Sequence, residues 1–92
     1  NFFEMSMGFH VFDTYVKSKD GHTMHFDVIT DKNNIENAII FAKEWLHSIG
    51  EKDAVVTTKE CRFCHTQSVS EEIEIEIMTN GYFIAKMEGC PN

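Results

Sequence analysis

The chain is poor in several things. It has one proline and three cysteines in 92 residues. Three thiols are an odd number and too few for a disulfide scaffold, so a reducing cytoplasm is the expected location. No basic cluster occurs, and the formal net charge is -7 with histidines neutral. A nucleic-acid backbone or an anionic membrane surface would be repelled, so neither is an expected partner. No apolar run approaches the length that crosses a bilayer. The glycines occur singly, without the G-x-G-x-x-G or G-x-x-x-x-G-K spacing that cradles phosphate. The opening "NFFEMSMGFH" lacks the basic start and long apolar core of a signal peptide.

What is present fits a small folded unit. Apolar residues make up 42% and charged residues 25%, which is a globular balance. Eight phenylalanines supply much of the core volume. There is no repeat, linker or low-complexity segment. Residues 1–8 read as an N-terminal tail or an expression remnant, and residues 9–92 as a single α+β domain.

Hydrophobic periodicity gives the elements. Phe9 to Val16 alternates as a strand, Asp20-Gly21 is a hairpin turn, and Met24 to Ile29 is the returning strand. Asp31 or Asn33 caps a helix carrying Ile35, Ala38, Ile39, Ala42, Trp45, Leu46 and Ile49 on one side, and Gly50 ends it. The β-branched run Ala54 to Thr58 reads as a third strand, reached by a crossover that makes it parallel to a neighbour. "EEIEIEI" alternates like a strand, yet Ser68 and Glu71 make a capping pair and Gly81 suits a helix stop. Tyr82 to Met87 is the final strand. The expected order is strand-strand-helix-strand-helix-strand. It builds a two-layer α+β sandwich, a mixed four-stranded sheet with both helices on one face.

The segment "ECRFCHTQ" carries the most suggestive chemistry, and the third-strand expectation puts it in the following loop. Cys61 and Cys64 have the C-x-x-C spacing that supplies two zinc ligands from one turn. Cys90 is the remaining thiol, and the last strand could return it to them. His65 is a candidate fourth ligand, with His10, His22, His25 and His47 as other imidazole donors. A structural or regulatory zinc site on Cys61, Cys64, Cys90 and His65 is therefore one expectation. A thiol-disulfide oxidoreductase is the second, although Glu60 and Glu71 oppose a thiolate there. "CRFCH" also matches the attachment signature of c-type haem. The bland alternative is inert packing: free cysteines are often buried as small hydrophobes, which would leave an interaction module.

Asp13 and Asp27 fall on the two hairpin strands, with His10 and His25 nearby. Such pairs can serve as base and orienter, or lie hydrogen-bonded on a wet face. No nucleophile has a fixed spacing to them.

The segments "HVFDTYVKSKDGHTMHFDVITD", "AKEWLHSIGEKDAVVTTKECRFCH" and "GYFIAKMEGC" together resemble domain-of-unknown-function family 2024, small bacterial proteins without an established activity. The resemblance runs over nearly the whole chain from about residue 9. It implies a compact α/β domain, and a second helix over about Ser70 to Thr79. It implies no substrate, cofactor or catalytic residue. Biochemical function and enzyme status stay open, zinc is the candidate cofactor, and a protein partner or homo-oligomer is compatible with the sequence.

Overall fold

The computed structural model describes residues 8–92, so all of the expected tail except Gly8 lies outside the described residues. Strands β1 (Phe9–Lys17) and β2 (Thr23–Thr30) form the expected antiparallel hairpin, and its register sets Asp13 opposite Asp27. Gly21 takes φ 95 in the turn, the left-handed conformation that favours glycine. Helix α1 (Ile35–Ser48) starts at Asn34, whose side chain accepts from Asn37 N at 2.9 Å. This cap replaces the expected Asp31 or Asn33, because the apolar periodicity begins at Ile35 and the cap directly precedes it.

The third strand is the largest departure from expectation. Ala54 to Thr58 forms no strand. Val56 plugs the core from a loop, and Thr57 closes a turn by donating from N and Oγ1 to Glu60 Oε1 at 2.8 and 2.7 Å. Strand β3 (Cys61–Gln67) is the cysteine segment itself. It lies antiparallel beside β1 at one edge of the sheet. Helix α2 (Glu71–Asn80) follows, capped by Ser70 and stopped by Gly81 at φ 95. The cap is Ser70 rather than Ser68. Strand β4 (Phe83–Lys86) pairs antiparallel with β2 at the other edge.

The sheet order is β3-β1-β2-β4, and every neighbouring pair is antiparallel. The expected mixed sheet is thus corrected. The crossover through α1 does connect two strands of the same direction, β2 and β3, but β1 lies between them. Each is hydrogen-bonded to β1 instead of to the other.

The helices also divide between the two faces instead of sharing one. Phe12 and Val16 of β1 and Met24, Phe26 and Val28 of β2 pack under Ala38, Ala42 and Leu46 of α1. Phe9, Val11 and Ile29 pack with Ile77 of α2. Val11 and Phe12 are adjacent on one strand, so they point to opposite sides. Two alanines on the buried stripe of α1 let its backbone approach the sheet, and Trp45 meets Phe26 with ring centroids 4.7 Å apart. Each large apolar side chain buried here contributes about 1.5–3 kcal/mol. Helix α2 is short, buries Ile77, and leaves Ile75 60% exposed. It covers only part of its face, and the uncovered part is polar.

Candidate functional site

Beyond Val11 and Ile29, the face under α2 continues through Asp13 and Tyr15 on β1 and His25 and Asp27 on β2. Two carboxylates directly opposite each other on paired strands repel. The surrounding geometry concentrates that repulsion. Asp27 is only 9% exposed, and its Oδ1 is buried without a hydrogen-bond donor. Burial first, then the adjacent Asp13 carboxyl, push the Asp27 carboxyl up to about 6. Asp13 is held below its ordinary value, chiefly by hydrogen bonding from Asp27 and then from His25. A protonated Asp27 can donate to Asp13; once both ionise, neither can.

His25 Nε2 lies 3.1 Å from Asp13 Oδ1. The Tyr15 ring stacks on the His25 ring with centroids 4.0 Å apart and an angle of 11° between planes, which fixes the imidazole. One donor atom from each of Asp13, His25 and Asp27 lies within 4.8 Å of the others. Among the described residues this is the one such group of histidine, cysteine and carboxylate donors.

The cysteines and the other histidines are placed differently. Cys61 pairs with Thr14, is buried against the α1 core, and accepts a hydrogen bond from Thr14 Oγ1 at 3.5 Å. Burial pushes its thiol up, away from thiolate chemistry. Cys64 is exposed. Cys61 faces the α1 core, whereas Cys64 is an exposed residue without a partner on β1, so the two thiols sit in different surroundings. Cys90 is half-buried at the opposite edge region, with Sγ donating to His25 O at 3.3 Å. The expected zinc set of Cys61, Cys64, Cys90 and His65 is therefore not brought together. The disulfide and haem readings lose their basis with it, since both need Cys61 and Cys64 available on one side. His10 points to the other face from Asp13, and His22 sits in the hairpin loop between Asp20 and Gly89 O. His47 is exposed in the last turn of α1.

The sequence sets Asp13, Asp27 and His25 on the hairpin but does not by itself mark them as joint metal donors. The available signal was their common parity, with two acidic residues on the same side of a predicted hairpin. The more conspicuous C-x-x-C spacing drew the metal reading elsewhere.

A family profile described as "Domain of unknown function (DUF2024)" matches residues 7–87. The NMR structure of protein NE1680 from Nitrosomonas europaea, a structural-genomics target, is 60% identical to this chain. The match covers 92% of this chain and 100% of that one, with a TM-score of 0.84. No curated protein matches the chain. Among the described residues no helix is long and apolar enough to cross a membrane.

Proposed function

The chain belongs to the DUF2024 family of domains of unknown function, and we propose from its own open sheet face that it binds a divalent cation between Asp13, His25 and Asp27. The carrying observation is the buried Asp27 Oδ1, which has no donor, beside a second carboxylate. Such a group costs stability unless a proton or a cation satisfies it. Near neutral pH the proton is leaving Asp27, and a cation meets the need.

One imidazole and two carboxylates form a mixed nitrogen–oxygen donor set, suited to first-row ions such as manganese and zinc. Three protein ligands leave positions for water or a ligand. The net charge of -7 favours a cation over nucleic acid as a partner. Free thiols at Cys61, Cys64 and Cys90 suit a reducing compartment.

Calorimetric titration of chelator-treated protein with Mn2+ and with Zn2+ tests this. The parent should take one ion per chain and Asp27→Asn none. Unchanged stoichiometry in the variant, or no binding by the parent at millimolar metal, refutes the assignment.

A further inference from the structure

Strand β3 contains a bulge that the cation site does not use. Val11 pairs with His65 and Phe12 with Phe63, so Cys64 is an extra residue with no partner of its own. Bulges of this kind re-aim side chains. Here Cys64 Sγ lies 3.2 Å from His65 Nδ1. His65 Nε2 lies 2.7 Å from Gln67 Oε1. A glutamine oxygen can only accept, so Nε2 carries the proton and Nδ1 is left as the acceptor for the Cys64 S–H. A thiol, a base and a group that orients the base are thus in line, the arrangement that activates nucleophiles. Cys64 also lines a surface cavity of about 370 Å³ with Lys59, Arg62 and Phe63, and with Asp13 and Tyr15 from the polar sheet face. Glu60, on the same wall, has its carboxylate turned to Thr57. Two larger hollows, one beside the hairpin loop and one beside Trp45 and Tyr82, contain no cysteine or histidine.

We propose that Cys64 is a thiol nucleophile with His65 as its base and Gln67 as its positioning residue, acting on small activated acyl esters or thioesters that carry a negative charge. Cys64 passes its proton to His65 Nδ1 as sulfur attacks the acyl carbon. The bond from that carbon to the leaving oxygen or sulfur then breaks, and the leaving group takes the proton from His65. Water attacks the resulting Cys64 thioester, again giving a proton to His65, and the acid is released as the thiol is restored. Asp13 in the cavity wall is engaged by His25 and Glu60 by Thr57, which leaves Lys59 and Arg62 as the positive side for an anionic acyl chain.

The test uses 4-nitrophenyl acetate on the full chain with chelator present, so that no bound cation contributes to the reaction. Nitrophenolate should appear in a burst equal to the protein, with the acetyl group on the Cys64 peptide by mass spectrometry. Cys64→Ser should abolish that burst. His65→Ala should slow it on the order of a hundredfold, the usual worth of a positioned base. Gln67→Ala should slow it less, and Gln67→Glu, which keeps an acceptor for Nε2–H, should restore it. The corresponding nitrophenyl hemisuccinate should react faster than the acetate, and Arg62→Ala should remove that preference. Acetylation of Cys64 at the rate of glutathione, a rate indifferent to His65→Ala, or an acetyl group found only on Cys61, Cys90 or lysines would overturn the proposal. All three substituted side chains of the relay are exposed, and unchanged melting of each variant separates chemistry from folding.

Discussion

Replacing Asp27 with asparagine should move stability and binding in opposite directions. In the folded protein the Asp27 carboxyl is raised from 3.8 to about 6 by burial and by Asp13. A raised acid contributes stability that is complete below its unfolded value and is lost as pH rises through the folded one. The cation-free protein should therefore weaken between about pH 4 and pH 6. A shift of about two units corresponds to a ceiling of about 3 kcal/mol. Asp13 is shifted the other way by the same contact, so the pair titrates as a unit and the net penalty is smaller, on the order of 1–2 kcal/mol.

Asparagine removes the charge and offers an N–H to Asp13. At around pH 7.5, with chelator, Asp27→Asn should melt roughly 5–15 °C above the parent, given about 4–8 °C per kcal/mol in a domain of this size. Near pH 4 the difference should nearly vanish, because the parent then carries the proton. Adding Mn2+ at about a hundred times its dissociation constant should raise the parent by about 2.7 kcal/mol and leave the variant unmoved. Thermal melts followed by circular dichroism, at both pH values and with and without metal, make the comparison. A variant less stable than the parent at the higher pH, or an advantage that does not change with pH, would refute the account of the carboxylate pair.

Thiol accessibility should separate the cysteines: Ellman's reagent should modify Cys64 in the native protein and reach Cys61 only on unfolding, since Cys61 is fully buried. Equal rates at the two would contradict the strand placement of the segment. Ser70→Ala should cost about 1 kcal/mol in chemical denaturation by removing the cap of α2, whereas Ser68→Ala should be neutral. Gly89→Ala should cost about 1–3 kcal/mol, because φ is 77 there and a Cβ would lie 2.2 Å from the Thr23 carbonyl oxygen. The same change should lower the His22 titration midpoint seen by NMR. In the parent that midpoint is raised by the Gly89 carbonyl first and Asp20 second.

The hairpin, α1 and its buried stripe were legible because each has a strong local period and a local stop signal. Helix α2 was ambiguous: its isoleucines alternate like a strand, and only Ile77 is fully buried, so tertiary cover decided the outcome. The third strand was misread because β-branched Ala54 to Thr58 has the better propensity, while "CRFCHTQ" looks like a loop. Edge position explains this. Strand β3 buries Cys61 alone among its residues, so little apolar pattern is required of it, and backbone pairing with β1 does most of the work. The face of each helix was not encoded in its own sequence at all. It followed from how the β1 and β2 parities were shared, with Phe12, Val16, Phe26 and Val28 on one side and Phe9, Val11 and Ile29 on the other.

The bulge also explains why the chemistry around Cys64 resisted a reading by spacing. In a regular strand Cys61, Phe63 and His65 would share one face. The extra residue reverses the parity, so that Phe63 stays with Phe12 on the α1 side while His65 and Gln67 turn to the face of Val11 and Phe9. His65 thereby comes close enough to act electrostatically on Asp13 and Asp27. Deletion of Cys64 is then the one deletion within β3 that should leave every other pairing in place, with Phe63 opposite Phe12 and His65 opposite Val11. The shortened chain should melt within roughly 1 kcal/mol of the parent, as expected for an exposed position that makes no core contact. It should bind cations as before and lose the acyl-transfer burst. A deletion variant that fails to fold, or that loses cation binding, would mean that the bulge holds the sheet together. A variant that folds and binds would mean that the chain carries the extra residue for its thiol.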